Sequence, residues 1–306
     1  MNVPRIGVSL PHVGPHAGPD AVVTVAQAVE RLGFHGVSVN ERLLTPVRQD
    51  WRNDAELPES YVWDPLEMLT WAAAHTERIR VSTGILNSIF QPPFVLARKL
   101  ATLDQLSRGR LDVGIGQGGG TREPPYCVPE EFVAAGVPLS RRGAGFAEHV
   151  AAMRACWGPD PVEFHGEHYE IPRCTIGPKP WGSSIPLLFG ATTRRTIERA
   201  ARIGDGFVTV ALPMGWDDTR RQVDWYREAG GSGTVVVNSI QPYPEGPISP
   251  DMFTEAVLSD LARAQAVGAD EMHITLNLVA VPPQRQAELL EALAAHAGAA
   301  LISSEV

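Results

Sequence analysis

Strand-like and helix-like stretches alternate along almost the whole chain. Short runs of β-branched and apolar residues predict eight buried strands, at Arg5–Leu10, Gly36–Asn40, Arg80–Leu86, Leu111–Ile115, Ile185–Phe189, Gly206–Thr209, Thr234–Ile240 and Glu271–Thr275. Apolar residues at helical spacing predict eight helices after them, at Ala21–Leu32, Asp64–His75, Pro93–Leu106, Ala144–Cys156, Thr193–Ala201, Trp216–Ala229, Pro250–Val267 and Pro283–His296. This alternation favours an α/β fold, a (β/α)8 TIM barrel forming a single domain over residues 1–306.

A doubly wound sheet is the competing fold. Its dinucleotide fingerprint would put a glycine turn after the first strand and an acidic residue about 20 positions further on. Here the glycine-rich turn follows the fourth predicted strand instead, at 116–120. The position of the glycines therefore favours the barrel.

The segment 81–120 is the most informative part of the chain. A β-branched strand leads to Pro93, which starts a helix without losing a hydrogen-bond donor, and Gly109 follows that helix where a left-handed residue is favoured. The next strand runs directly into Gly116, Gly118 and two further glycines. Glycines let backbone N–H groups approach a ligand closely, so the pattern predicts an anionic group nearby.

Long connections follow the second and fourth predicted strands, at 40–63 and 117–139. In a barrel, the loops after the strands build the active site, so both should overhang it. A third long connection, 159–184, contains an alternating pattern around a glycine and predicts a hairpin away from the chemistry. His165 and His168 lie in that hairpin without a third ligand, so no metal site is predicted.

Composition narrows the class of protein. The net charge is −9, and basic residues form no run longer than a pair, so a nucleic-acid surface is not expected. No leader-like or bilayer-length apolar segment is visible, so we expect a cytoplasmic protein without membrane contact. The three cysteines are widely spaced and predict reduced thiols.

Several of these motifs resemble the luciferase-like monooxygenase family of TIM barrels, whose members bind FMN or the deazaflavin coenzyme F420. The similar stretches cover nearly the whole chain: Val37–Leu44, Thr83–Leu86, Leu96–Arg110, Gly114–Gly118, Pro186–Ala191 and Ala200–Gly206. The resemblance implies the barrel fold and a bound flavin or deazaflavin.

In that family a bulge on the third strand, often with a non-prolyl cis peptide bond, supports the middle ring of the cofactor. By position this bulge would be Gly84-Ile85, and the Asn87 side chain would bond the pyrimidine edge. The residues alone are equally consistent with an ordinary barrel bulge at Gly84 and a turn cap at Asn87.

The cofactor phosphate is expected at two glycine turns, where N–H groups or a helix start collect negative charge. The residues implied are Gly116 and Gly118 after the fourth strand, and Gly190, Ala191, Thr192 and Thr193 after the fifth. Either threonine is equally suited to a plain helix cap. Arg194 and Arg195 are unusual at a helix start, because the helix dipole disfavours cations there, and the anionic tail of F420 would offset this cost. The alternative is a solvated pair on a helix face.

The end of the second strand departs from the family pattern. Dehydrogenases of the deazaflavin branch tend to have Asp-His here and an acid after the glycine turn, whereas this chain has Asn40-Glu41-Arg42 and glycines. A sugar-phosphate dehydrogenase is therefore not favoured. Glu41 and Arg42 remain the candidates to face substrate, with His12 as a candidate proton donor. A structural Glu41–Arg42 ion pair and a solvated His12 are the alternatives.

The sequence thus predicts an F420-dependent oxidoreductase that transfers hydride to or from a small-molecule substrate. The resemblance to the deazaflavin branch is the reason for preferring F420 to FMN. An FMN-dependent monooxygenase and a non-catalytic flavin- or deazaflavin-binding protein are the alternatives. A homodimer is expected only because dimers are common in the resembled family.

Overall fold

Eight parallel strands form the centre of the structure, a computed structural model that describes residues 2–47, 62–119, 128–211, 215–240, 248–276 and 281–297. They are β1 (Arg5–Ser9), β2 (Gly36–Asn40), β3 (Arg80–Asn87), β4 (Leu111–Gly116), β7 (Leu187–Gly190), β8 (Gly206–Val210), β9 (Thr234–Ile240) and β10 (Glu271–Thr275). Hydrogen bonds close them into a barrel in the order β1-β10-β9-β8-β7-β4-β3-β2. The predicted (β/α)8 barrel is confirmed.

Helices surround the barrel: α1 (Pro19–Arg31), α2 (Pro65–Ala74), α3 (Pro93–Ser107), α4 (Pro129–Ala135), α5 (Ala144–Trp157), α6 (Arg194–Ile203), α7 (Trp216–Glu228), α8 (Pro250–Val267) and α9 (Pro283–Ala297). All eight predicted helices are present, with boundaries shifted by a few residues. Helix α4 was not predicted, and it lies within the connection that follows β4. The helices bury apolar residues, and full burial of one leucine, such as Leu100, contributes about 1.5–3 kcal/mol.

Local signals explain where the helices begin and end. The Asp64 side chain caps α2 by accepting the N–H groups of Leu66, at 2.9 Å, and Glu67, at 3.2 Å. The left-handed turn after α3 begins one residue earlier than predicted, since Arg108 has φ 58° and Gly109 has φ 79°. Such caps fix the angles at which the helices return to the barrel.

The antiparallel pair β5 (Val162–His165) and β6 (Glu170–Cys174) forms the predicted hairpin between α5 and β7. Its His165 Nε2 lies 2.9 Å from Glu163 Oε1 on the exposed surface. Within the described ranges, no cluster of three or more His, Cys, Asp or Glu side chains is arranged to hold a metal ion. None of the helices described there is long and apolar enough to cross a bilayer.

Strand β3 carries the expected bulge. Its pairing register shifts between Val39 and Asn40 on the β2 side and between Thr83 and Leu86 on the β4 side. The cis peptide bonds in the described part of the chain precede Pro161 and Pro178. The expected cis bond at Gly84-Ile85 is therefore not found, and the register shifts accommodate the extra residue.

The connections after β2 and β4 were expected to overhang the active site. Residues 48–61 and 120–127 of these connections lie outside the described residues. The described remainder of both connections, 41–47, 62–64, 117–119 and 128–139, borders the C-terminal end of the barrel and contributes several of the site residues below.

Candidate active site

A cavity of about 290 Å³ opens at the C-terminal end of the barrel, and we call it the mouth cavity. Nine of the predicted site residues line it: Glu41, Arg42, Gly84, Ile85, Asn87, Gly116, Gly190, Ala191 and Thr192. The predicted residues His12, Gly118 and Thr193 are not among its lining residues. The topology thus brings together residues that are up to 151 positions apart in the sequence, from Glu41 to Thr192.

Ile85, the second residue of the bulge, forms the apolar floor of the mouth cavity. A Cβ on Gly190 would lie 2.5 Å from Ile85 Cδ1, and one on Gly116 would lie 2.9 Å from Ile85 Cγ2. These distances are too short for carbon atoms, so both glycines are required for the isoleucine to occupy its place. The sequence suggested a different reason for these glycines, the approach of a phosphate.

Gly84 is constrained from the opposite side. A Cβ on Gly84 would overlap the Asn40 side-chain oxygen, and the Gly84 carbonyl accepts a 3.5 Å hydrogen bond from Asn238 Nδ2. The first bulge residue is therefore enclosed by β2 and by the opposite wall of the barrel. This packing fixes the position of Ile85 above the barrel axis.

Glu41 presents a carboxyl group with an unusual protonation equilibrium. Its Oε2 accepts the backbone N–H of Asn87 at 2.7 Å. Burial is the largest effect on this carboxyl, and with the nearby Asp64 and Glu131 carboxylates it raises the pKa of Glu41 to about 7. At neutral pH the group therefore exists in both forms, as suits a proton donor or acceptor.

Arg42 is oriented by an acid that the sequence analysis missed. Its Nη1 lies 3.8 Å from Glu131 Oε2, and Glu131 Oε1 accepts the backbone N–H of Leu43 at 2.8 Å. Glu131 comes from α4 and also lines the mouth cavity, and burial raises the pKa of its carboxyl. A proline followed by two glutamates, at 129–131, was the available signal for this short helix.

Arginines lie on the other side of the mouth cavity, around the glycine turn. Gln117 Oε1 accepts hydrogen bonds from the Gly143 N–H at 2.9 Å and from Arg199 Nη1 at 3.1 Å. Arg142 Nη2 donates to the Gly119 carbonyl at 2.7 Å. Two guanidinium groups therefore border this edge of the cavity, where Gln117 and Gly119 are lining residues.

Gly118 and Thr193 have structural roles next to this edge. Gly118, at φ 75°, is packed so closely that a Cβ would lie 2.7 Å from the Phe132 ring and 2.8 Å from that of Phe90. Thr193 caps α6, since its N–H donates to Thr196 Oγ1 at 3.2 Å and the two hydroxyls lie 2.9 Å apart. The cap interpretation of Thr193 therefore agrees with the structure, and Thr196 lines the mouth cavity.

The arginine pair at the start of α6 is exposed, and the contacts of Arg194 are with surface side chains. Arg194 pairs with Glu198 at 3.1 Å and with Glu228 at 3.7 Å, and it lies over the Trp225 ring. Arg199, one turn further along the helix, is the α6 arginine that contacts the glycine turn. Burial, followed by the charges of two other α6 arginines, lowers the pKa of Arg199.

His12 is buried beside the barrel end. Its Nδ1 lies 2.7 Å from the Leu10 carbonyl oxygen, so Nδ1 carries the proton in the neutral ring. Burial lowers the pKa of His12, which favours that neutral form. Both observations argue against His12 as the proton donor that the sequence suggested.

The fold and the site together define a TIM-barrel protein whose C-terminal mouth has an apolar residue, Ile85, in its floor, an acid of near-neutral pKa and several arginines. The model of the luciferase-like monooxygenase family matches residues 5–300, and the chain belongs to this family. The family comprises oxidoreductases and monooxygenases, so the mouth cavity is the candidate active site of an enzyme.

Relatives by sequence include an uncharacterised protein of Mycobacterium tuberculosis. It is 32% identical over 231 residues, which cover 72% of this chain and 79% of the relative. The chain is also similar to the F420-dependent glucose-6-phosphate dehydrogenase of Nakamurella multipartita, with 31% identity over 208 residues, 66% of this chain and 56% of that protein.

Solved structures of the same fold include an F420-dependent enzyme and an enzyme in complex with FMN. The coenzyme F420 dependent tetrahydromethanopterin reductase of Methanopyrus kandleri superposes with a TM-score of 0.68 at 16% identity, covering 96% of this chain and 98% of the other. The oxygenating constituent of 3,6-diketocamphane monooxygenase from Pseudomonas putida, in complex with FMN, has a TM-score of 0.69 at 15% identity, covering 96% and 97%. These similarities establish the fold alone.

Proposed function

We propose that this protein is an F420-dependent oxidoreductase that transfers a hydride between the deazaflavin and a small organic substrate. The observation that carries the proposal is the bulge of β3, which lifts Ile85 into the floor of the mouth cavity between two obligatory glycines. The similarity to an F420-dependent dehydrogenase at 31% identity supports the deazaflavin over FMN.

The residues of the mouth cavity fit a flat cofactor with a polar tail. Ile85 offers an apolar surface to one face of a ring, and Gly190, Ala191 and Thr192 line the same cavity beside the start of α6. A helix start favours anions, and the nearby guanidinium of Arg199 adds positive charge. When bound, the deazaflavin would accept or donate hydride at carbon and would react little with oxygen.

Glu41 and Arg42 form the substrate side of the proposed site. Arg42 has a fixed positive charge that suits a substrate carboxylate or a developing enolate. The Glu41 carboxyl, with its pKa of about 7, is partly protonated at neutral pH and can then donate a hydrogen bond to a substrate oxygen. Because Asn40-Glu41-Arg42 replaces the pattern of the sugar-phosphate dehydrogenases, we do not propose a sugar phosphate as substrate.

The test is an anaerobic screen that follows the absorbance of oxidised F420. Secondary alcohols, ketones and enones would be offered as matched pairs with and without a carboxylate group. We expect turnover with a member of this set, and Arg42→Gln should lower kcat/KM for the carboxylate member at least tenfold. Arg220→Gln, which changes an exposed arginine of α7, is the control.

An FMN-dependent monooxygenase is the second candidate, because a structure of the same fold has been solved in complex with FMN. Oxygen consumption with reduced FMN, together with no change in F420 absorbance for any substrate, would replace the proposal with this alternative. A protein that binds a cofactor without any turnover would instead be a binding protein.

A further inference from the structure

A second cavity enters the barrel from its N-terminal end and meets the mouth cavity inside the barrel. This lower cavity has a volume of about 220 Å³. It shares lining residues with the mouth cavity, namely Gly84, Val208, Asn238 and His273. Its lining also includes the exposed residues Arg5 and Asp205, so it extends to the surface opposite the mouth.

The His273 ring occupies the boundary between the two cavities. Glu271, His273 and Thr275 alternate along β10, so their side chains share one face of the strand. Glu271 lines the lower cavity, Thr275 lines the mouth cavity, and His273 lines both. Gly7, the partner of His273 on β1, makes room for the ring, because a Cβ there would lie 2.5 Å from His273 Cδ2.

The hydrogen bonding of His273 leaves one ring nitrogen without a partner among the described residues. His273 is 8% exposed, and its Nε2 lies 3.2 Å from Glu271 Oε2, so Nε2 donates to the carboxylate. Its buried Nδ1 has no hydrogen-bond partner among the residues that the structure describes. A buried polar atom without a partner is rare and indicates a missing ligand or a functional role.

We propose that His273 is the proton-transfer residue of this enzyme and that Glu271 and the lower cavity connect it to solvent at the N-terminal end. The inference rests on the proposed function for its hydride acceptor. In alcohol oxidation the bound deazaflavin would take the C–H electron pair as hydride, the O–H proton would pass to the His273 imidazole, and the C–O bond would become a carbonyl. The reverse direction returns the proton from His273.

The chemistry of the pair suits this role. An imidazole whose Nε2–H is held by a carboxylate presents Nδ1 as a base, and the carboxylate stabilises the imidazolium that forms. A cofactor and substrate filling the mouth would restrict the exchange of protons with water there. The lower cavity offers a separate path of polar groups to the opposite end of the barrel.

Several other charged and titratable groups surround this path. Those that line the lower cavity or contact Glu271 are Arg5, His35, Arg80, Asp112 and Asp205. Arg5 Nη2 lies 2.7 Å from Glu271 Oε1, and His35 Nε2 lies 3.2 Å from the same oxygen. Arg80 pairs with Asp112. Glu271 is therefore the group that links His273 to the charges of the N-terminal end.

The first test needs no cofactor. The ring carbons of the histidines would be labelled, and the NMR signal lost in His273→Gln would be followed in the wild-type protein from about pH 5 to about pH 9. We expect that signal to respond to bulk pH, and its response to change in Glu271→Gln, where the carboxylate that holds Nε2–H is removed. A His273 signal that stays constant over the range overturns the proposal.

The second test separates proton transfer from binding. In His273→Gln we expect kcat for the substrate found in the screen to fall at least 100-fold, while the Kd for F420 stays within threefold of the wild-type value. His165→Gln, at an exposed histidine of the hairpin, is the matched control. An unchanged kcat in a folded His273→Gln protein overturns the proposal.

Two further outcomes stay distinguishable. If His273→Gln fails to fold, the His273 signal is assigned by triple-resonance NMR of the wild-type protein. The titration is then repeated in the F420-saturated protein, where a persisting response to bulk pH supports the lower path and its loss contradicts it. If the protein does not bind F420 at all, the proposed function fails, whereas the titration without cofactor still decides whether His273 exchanges protons.

Discussion

Ile85 and Gly190 occupy neighbouring positions in the mouth cavity so closely that any side chain at position 190 would displace the isoleucine. A Cβ there would lie 2.5 Å from Ile85 Cδ1 and 3.0 Å from Ile85 Cγ1. The two residues belong to β3 and β7, which both border β4 in the barrel. The shape of the proposed ring-binding floor therefore depends on a contact across the width of three strands.

Gly190→Ala should impair both stability and cofactor binding. Overpacking of a fitted site costs about 1–3 kcal/mol, and we expect the free energy of unfolding to fall by that amount. The displaced Ile85 side chain should raise the Kd for F420 at least tenfold, about 1.4 kcal/mol. Urea unfolding and fluorescence titration measure the two effects.

Gly182→Ala provides the control for this prediction, because no atom lies within 4 Å of a Cβ at that position. The double variant Gly190→Ala/Ile85→Val should recover much of the lost affinity, since valine lacks Cδ1. If Gly190→Ala binds F420 as tightly as the wild-type protein, Ile85 does not support the ring.

Glu41 should make the protein less stable as the pH rises through neutrality. Its folded pKa of about 7 lies above the ordinary value of 4.5, so between these values the native state holds a proton that the unfolded chain has lost. Stability then falls with rising pH, by an amount on the order of 1–3 kcal/mol. This loss of stability begins above the unfolded pKa of 4.5 and is complete above the folded pKa of about 7.

The measurement compares urea unfolding of wild type and Glu41→Gln at about pH 5 and about pH 8, spanning the two pKa values. Glutamine keeps an acceptor for the Asn87 N–H and cannot ionise. We expect the wild-type protein to lose stability relative to the variant at the higher pH, with Glu255→Gln, at an exposed glutamate of α8, showing no such difference. An equal loss in wild type and Glu41→Gln would show that Glu41 titrates normally.

Glu131→Ala should affect Arg42 as well as the fold. The change removes the acceptor of the Leu43 N–H and the carboxylate 3.8 Å from Arg42 Nη1. Loss of one such hydrogen bond costs about 0.5–1.5 kcal/mol, which we expect as lost unfolding free energy. Loss of the pairing should also raise KM for a carboxylate substrate, measured against Glu255→Ala. A KM unchanged for that substrate would mean that Glu131 does not orient Arg42.

Arg199→Gln should weaken binding of F420 but not of its tail-less chromophore. The guanidinium lies 3.1 Å from Gln117 Oε1 at the edge of the cavity. Its loss should weaken binding of the anionic cofactor about three- to tenfold, which is the range of an ordinary net hydrogen bond. The tail-less deazaflavin chromophore should bind both proteins equally. Arg220→Gln should change neither affinity, and an equal loss for both ligands would contradict a role in tail binding.

Much of the fold was predictable because the signals are local. Buried strands such as Leu111–Ile115 and proline-led helices such as α3 depend on residues that are near each other in sequence. Helix α4 escaped prediction because it has only seven residues and one partly apolar face within a long connection. Glu131, which it carries into the site, was missed for the same reason.

The roles of individual site residues depended on contacts that no local pattern reveals. The glycines at 116 and 190 line the mouth cavity, yet their partner there is Ile85, which is distant in sequence from both. His273 was read only as part of a strand, since strand periodicity does not tell which face enters the barrel interior. Its juxtaposition with Gly7 and with two cavities becomes visible only in three dimensions.

The most direct test of the central claim is a side-by-side fluorescence titration of the purified protein with oxidised F420 and with FMN, repeated on Gly190→Ala and Gly182→Ala. We predict that F420 binds at least tenfold more tightly than FMN and that only Gly190→Ala weakens it. Tighter binding of FMN, or no binding of F420, would contradict the account.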